Sequence, residues 1–317
     1  MAVIRARQAE TTETALYGGM EAGGTKFVCM VGTGPSDVRA MTRIVTSMPG
    51  QTLDEAIHFF GRIQDDGTAI RAIGIASFGP IELRPVNPKF GHVTRTPKPG
   101  WSDADIVGPI ARAFNVPIGF DTDVNGAALA EHRWGAAQGL HSFVYLTIGT
   151  GIGGGAMVND RVVHGLGHPE MGHVSVPRQP GDTFPGACPF HGDCLEGMAS
   201  GPAIKARWGR PPEELTGSEL RRAVELEAGY LGAGISSIVY TLAPERIVVG
   251  GGVAGMAGFF PELRHALRSL EPYPGLPEHM APDFIGPAKL GPAAGALGAL
   301  VLAEHAAVRP DIAPDTK

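Results

Sequence analysis

Three cysteines in 317 residues are too few for an extracellular disulfide framework, and two of them lie close together, which points to metal. Basic residues are also scarce. With 26 Lys and Arg against 32 Asp and Glu, the net charge is −6, and no electrostatic footprint for nucleic acid or an anionic membrane exists. The expected partner is a small neutral or anionic molecule. No eighteen apolar residues run uninterrupted, and Met1 to Tyr17, with Arg5, Arg7, Glu10 and Glu13 scattered through it, reads as neither secretory signal nor anchor. A cytoplasmic chain with reduced thiols is the expectation. What is present is apolar residues at 43 %, enough for two packed domains, and 46 glycines with 27 prolines, clustered at turns without a collagen period. Many tight strand connections follow.

Tyr17 to Gly32 reads as strand, Gly turn and strand, with Gly23-Gly24 where a hairpin turn would need positive φ. Leu53 to Gln64 has helical spacing, and Ala69 to Phe78 is a buried strand stopped by Gly79-Pro80. Residues 82 to 100, rich in proline and without periodicity, form a long surface segment and a candidate substrate lid. A helix over Asp103 to Phe114, a strand over Pro117 to Asp121 and a helix over Val124 to Trp134, capped by Asp121, Thr122 or Asp123, come next. Then strand, Gly turn and strand recur over Ser142 to Asn159, an echo that suggests duplicated α/β halves facing a cleft. A Gly, Pro and Cys insertion over 173 to 197, helices around Ser218 to Leu242, a strand over Arg246 to Val249 and a small-residue helix over Gly291 to His305 complete the chain.

Phosphoryl transfer requires backbone donors and a cation around phosphates, a base near the acceptor hydroxyl, and exclusion of water. Candidates for each are present. Gly23, Gly24, Thr25 and Lys26 form a turn whose amides can approach phosphate oxygens, though it is not the common Gly-x4-Gly-Lys-Ser/Thr loop. Gly149, Thr150 and Gly151 begin a second such loop after an apolar strand, and Gly250, Gly251 and Gly252 a third. Gly149, Gly151 and Gly153 match the dinucleotide fingerprint, but Ala156-Met157-Val158 follows where a helix should, so a dehydrogenase is the weaker reading. Asp121, Thr122, Asp123 and Asn125 stand at a strand-to-helix junction, where Asp123 can take a proton from an attacking hydroxyl or simply cap the helix. His173, Cys188, His191 and Cys194 carry the ligand types and spacing of a closed tetrahedral zinc site, pinning a loop that could not otherwise order itself. Cys29 reads as core.

Glu21-Ala22-Gly23-Gly24-Thr25-Lys26, Asp123-Val124-Asn125-Gly126-Ala127-Ala128, the glycines of 149 to 155 and Glu170-Met171-Gly172-His173 with its Cys/His knuckle resemble the ROK family of bacterial sugar kinases and repressors over residues 17 to 300. The resemblance implies the actin-like ATPase (ribonuclease H-like) fold, two α/β domains around a cleft. Its division would be a disordered tail at 1–16, an N-terminal domain at 17–121 joined by a C-terminal helix at 292–306, and a C-terminal domain at 122–291 carrying the zinc loop 173–197. It implies ATP, magnesium and structural zinc, with Asp123 as base, Gly79, Asn125, Glu170 and His173 at the sugar, His173 also on zinc, and the three glycine loops at ATP. Homodimers are common in such a family. Ser77 to Glu82, Thr96 to Trp101 and Cys-Pro-x-His-x-x-Cys-Leu-Glu-Gly look like its fructokinase branch. Glu21 stands where an Asp is more usual, and Thr122 replaces an Asn of the glucose branch, which lowers the expectation for glucose. Mannose, glucose and N-acetylhexosamine kinases stay as alternatives, with a sugar sensor and a dehydrogenase as other classes. A repressor would need an N-terminal winged helix-turn-helix, and only about sixteen residues precede the first loop.

Overall fold

The computed structural model describes residues 15–67, 69–270 and 276–308. All but Ala15 and Leu16 of the tail expected over 1–16 lies outside the described residues. In the first half, β1 (Leu16–Ala22), β2 (Lys26–Gly34), β3 (Asp37–Val45), β4 (Ile70–Ser77) and β5 (Ile118–Thr122) form a sheet of order β3-β2-β1-β4-β5, with α1 (Pro49–Asp65) and α2 (Val107–Ala113) in the connections. After α3 (Asp123–Trp134), the strands β6 (Phe143–Ile148), β7 (Ile152–Val158), β8 (Arg161–Val162), β9 (Arg246–Gly250) and β10 (Ile285–Pro287) form a second sheet of order β8-β7-β6-β9-β10. The two orders are the same. Each sheet opens with an antiparallel meander and continues with two parallel strands, so the echo of Gly hairpins reflects a repeated topology.

Period-two alternation sends each strand's side chains to two different cores. On β2, Phe27, Cys29 and Val31 join the core under α1, while Val28 and Met30 pack with Leu297 and Leu300 of α8 (Ala294–Val308). On β6, Val144, Leu146 and Ile148 face a core shared with α6 (Gly217–Leu242) and α7 (Phe259–Ser269), whereas Phe143 and Tyr145 face the α3 side. Helices α3 and α8 therefore lie between the sheets and pack on each other.

That central layer is thin because glycine makes it so. A Cβ on Gly74 would lie 1.8 Å from the Ala299 carbonyl oxygen, one on Gly119 2.3 Å from that of Leu302, and one on Gly298 1.9 Å from that of Gly126. Backbone meets backbone at all three. The segment Gly291–Val308 is apolar enough by composition to cross a membrane, with mean hydropathy 1.3, but every residue from Ala294 to Ala303 is buried in the fold.

Several elements differ from their sequence expectation. The helix expected from Asp103 begins at Val107, because Asp103 takes a left-handed φ of 61° and the Asp105 carboxylate instead accepts the Gly108 amide at 2.6 Å. The hairpin at 22–26 uses no positive φ at either glycine; Gly23 is required because a Cβ there would meet the Lys26 carbonyl oxygen at 2.6 Å. Residues 82 to 100 contain no helix or strand, yet the segment is anchored at its end by Trp101. That fully buried ring packs on Phe27 and Phe78 and donates to the Ser47 carbonyl at 2.8 Å.

Candidate active site

The carboxyl ends of β1 and β6 meet the N-termini of α3 and α8 around a cleft of about 410 Å³, lined by Glu21, Asp123, Tyr145, Thr147, Gly251 and Gly295 among others. Glu21 and Thr147 hold corresponding places, one residue before the end of the hairpin register in each half. Of the three candidate caps of α3, Thr122 is the one used: its Oγ1 accepts the Asn125 amide at 3.1 Å. Asp121 turns inward, and Asp123 is left facing the cleft. Its Oδ1 accepts the neighbouring Val124 amide at 2.9 Å. Protein crowding around Asp123, reinforced by the charges of Glu21 and then Glu170, pushes its carboxyl up to about 7. Burial also raises Glu21, against the pull of Lys26 and the Ala296 amide. Glu21 fits only because residue 295 is glycine, where a Cβ would come 2.5 Å from the carboxyl carbon, and its buried Oε2 has no hydrogen-bond partner among the described residues. Two carboxyls raised by burial, Asp123 further by the charge of Glu21, and an orphaned oxygen on Glu21 suit a divalent cation.

On one side of Asp123 lies a polar cluster drawn from both halves. Buried Asp121 accepts from the Thr122 amide at 2.7 Å and the Asn125 amide group at 2.8 Å, and contacts His164 Nε2 at 3.0 Å. That last hydrogen bond raises the His164 pKa. Asn125 is almost wholly buried, and its Oδ1 is unpartnered among the described residues. Beside this group, Gly79 lies against His168 and Glu170. Glu170 is pushed up to about 7 by burial and by Glu196, although its side chain remains 44 % exposed. Arg95, from the proline-rich segment, sits over the Phe190 ring of the Cys/His knuckle at 5.7 Å, so the two long loops meet at the mouth of this region.

On the other side a larger cavity of about 860 Å³ opens between Gly149, Thr150 and Gly252 at one end and the apolar Pro211, Leu215 and Met256 at the other. Both cavities are lined by Gly252 and so adjoin there. Gly149, Gly252 and Gly24 have open space where a Cβ would be, so their backbones are approachable. Gly251 has φ of 90° and no room for a side chain, its virtual Cβ lying 2.2 Å from the Ile148 carbonyl oxygen. Gly250 differs from its two neighbours: it belongs to β9, paired with Thr147, and does not line either cavity. Gly151 instead abuts the Glu196 carboxylate. Gly23, Gly24 and Thr25 lie in the β1–β2 turn and Lys26 opens β2; none of the four lines either cavity, and Lys26 acts on the site through its charge on Glu21.

His173, Cys188, His191 and Cys194 bring one ligand atom each within 4.8 Å of one another. His173 Nδ1 is 3.5 Å from Cys194 Sγ and 3.8 Å from Cys188 Sγ, and His191 Nδ1 is 3.8 Å from Cys188 Sγ. A tetrahedral zinc with Zn–S of about 2.3 Å and Zn–N of about 2.0–2.1 Å needs S···N edges of about 3.6 Å, so the donor set fits. The loop is also tied down elsewhere. Both Asp182 oxygens accept from Arg207 Nη1 at 2.6 Å, and Oδ2 also accepts the Tyr230 hydroxyl at 2.5 Å, docking the insertion on α5 (Gly201–Trp208) and α6.

Comparison with known proteins decides the lineage. A family model described as "ROK family" matches residues 17–306. The chain belongs to the ROK family. A fructokinase of Zymomonas mobilis is 44 % identical over 251 residues, covering 78 % of this chain and 83 % of that protein. A fructokinase of Pediococcus pentosaceus is 38 % identical over 292 residues, covering 92 % and 98 %. Among solved structures, a ROK hexokinase from Thermus thermophilus superposes with a TM-score of 0.75 at 31 % identity over 92 % of this chain and 98 % of that one. The fold is the two-part α/β fold of the actin-like ATPases.

In this ROK chain, sequence reasoning singled out Asp123, Glu170 and the metal cluster but passed over three residues that tie them together. Glu196, in the turn of α4 (Leu195–Ala199) after Cys194, accepts the Ile152 amide at 3.0 Å, linking the knuckle to the second glycine loop. Asp121 was read only as a candidate cap at the junction, and His168 was not assigned a role. The quoted Cys-Leu-Glu-Gly run carried a hint of Glu196 and the Asp-Thr-Asp junction one of Asp121, whereas the contacts of His168 and the Asp121–His164 pair are long-range with no local pattern.

Proposed function

We propose that this ROK chain is an ATP-dependent hexose kinase whose substrate is fructose. The observation that carries the reading is Asp123, a cleft-facing carboxyl pushed up to about 7, placed between a polar cluster and two adjoining cavities lined by glycine turns. The polar cluster with Gly79, Asn125, Glu170 and His173 is the sugar side. The larger cavity from Gly149 to Met256 is the ATP side, with the base against Pro211, Leu215 and Met256. Asp123 accepts the proton of the fructose 6-hydroxyl as its oxygen attacks the γ-phosphorus, and the bond to the β-phosphate oxygen breaks to release ADP. Magnesium, held through the nucleotide phosphates near Glu21, would neutralise charge on the transferring group. Zinc on His173, Cys188, His191 and Cys194 would fix the loop that carries the sugar-side residues. Reduced thiols at that site and the use of ATP favour a cytoplasmic setting.

Fructose is favoured over other hexoses by the similarity to fructokinases over most of the chain and by Thr122, which spends its hydroxyl on the helix cap. The test is ADP release with ATP and magnesium across fructose, mannose, glucose, N-acetylglucosamine and N-acetylmannosamine. Fructose should give the highest kcat/KM; a different sugar on top would discard the fructose assignment, and no turnover with any would discard the kinase.

A further inference from the structure

His168 joins the two halves of the protein at the sugar side, and three observations bear on it. The Ile81 amide, from the first half, donates to His168 Nε2 at 3.0 Å. Because Ile81 contributes an N–H, Nε2 is the accepting nitrogen, and in the neutral ring the proton must sit on Nδ1. Nδ1 faces Glu170 Oε1 across a 3.4 Å contact, and the Pro169 backbone also hydrogen-bonds the ring. Finally, the ring lies directly over Gly79, where even a methyl group would come 3.2 Å from His168 Cε1. The imidazole is only 8 % exposed, and burial lowers its pKa, favouring the neutral form that this arrangement requires.

We infer that His168 is a positioning residue for the sugar subsite, clamping the Gly79–Ile81 segment of one half against Glu170 of the other through its two ring nitrogens. Residue 79 is glycine so that the ring can reach between them. An enzyme that holds a hydroxyl between two moving bodies needs their relative placement fixed, and a buried neutral histidine does this by accepting the Ile81 amide on one side and packing against Glu170 on the other. The inference rests on the reading that Gly79 and Glu170 bind sugar.

The test compares H168L, H168Q and E170Q in steady-state kinetics, varying fructose and ATP separately. Leucine removes both ring contacts, whereas the Gln Oε1 can still accept the Ile81 amide. H168L should raise the KM for fructose by about tenfold, leave the KM for ATP unchanged and lower kcat less, with H168Q recovering to within about threefold of wild type. If E170Q raises the fructose KM and H168L does not, the His168 inference is overturned while the sugar-site reading stands. If E170Q itself leaves the fructose KM unchanged, the site reading falls and takes the inference with it. Equal impairment of H168L and H168Q, or a parallel rise in both KM values, would show a merely structural residue. Should H168L fold poorly, H168N replaces it, since Asn keeps a donor near the Nδ1 position but cannot reach Ile81. A fructose KM no worse in H168N than in H168Q then overturns the inference.

Discussion

Replacing Asp123 by Asn should inactivate the enzyme and stabilise the protein in the same stroke. The carboxyl is raised from 3.8 to about 7, first by burial and then by Glu21. At about 1.4 kcal/mol per unit, the folded state would lose as much as about 4 kcal/mol in ionising it. Asp123 is open to the cleft on one side, and solvent screening reduces this to about 1–2 kcal/mol. The sign follows from the direction of the shift. A raised carboxyl contributes its stabilisation fully below about pH 4, where it is protonated in both states, and that contribution is lost as pH rises through 7. Asn never ionises, so D123N and wild type should melt together at pH 4 and diverge above it, with D123N higher by ~2–3 °C at pH 8 for a chain of this size. In activity, kcat/KM for fructose in wild type should fall on the acid side with an apparent pKa near 7, and D123N should lose at least ~100-fold. Melting by circular dichroism at matched scan rates, with coupled ADP assays from pH 5 to 9, reads both effects. A D123N protein that is no more stable than wild type at pH 8, or equally shifted at pH 4 and 8, would refute the electrostatic account. Activity within tenfold of wild type would remove Asp123 as the base.

The metal cluster makes a separate prediction: elemental analysis should find zinc stoichiometric with the chain, and its removal should raise the KM for fructose before it affects that for ATP. Metal-free protein with unchanged fructose kinetics would count against the proposed role. The thin central layer predicts that G74A, whose new methyl would collide with the Ala299 carbonyl oxygen at 1.8 Å, destabilises by ~2–3 kcal/mol in denaturant melts. A neutral result would mean α8 can lift from the first sheet at no cost.

Features with a local signature were the ones readable in the sequence. The two Gly hairpins, the Asp-Thr-Asp-Val-Asn junction and the Cys-x2-His-x2-Cys knuckle each bring their chemistry within a few residues, so spacing alone exposed them. The edge strand β3 carries only a weak alternation, Val38, Ala40, Thr42 and Ile44 against exposed Arg39 and Arg43, and it was not anticipated. Helix α7, by contrast, has a strong apolar face at Phe259, Leu263 and Leu267, yet it too was passed over. Contacts spanning the halves were invisible for a different reason: Ile81 and His168 are 87 residues apart, and nothing near either announces the other.

The repeated topology explains why the site lies where the glycines are dense. Each half ends its first hairpin strand at the cleft, so the corresponding residues Glu21 and Thr147 approach the same cavity from opposite sheets. For these strand ends to share one cavity, the layer between the sheets must be narrow, and that layer is α3 against α8. Gly126 and Gly298 let those two helices touch backbone to backbone, while Gly74 and Gly119 let α8 rest on the first sheet. Asp123 then begins α3, and Gly295 near the start of α8 makes room for Glu21. The glycines that bring the halves together and those that open backbone toward a ligand thus serve different ends. A side chain at 74 or 298 should cost folding, whereas one at 149 or 252, where space is open beside the larger cavity, should leave the fold intact and obstruct the proposed nucleotide.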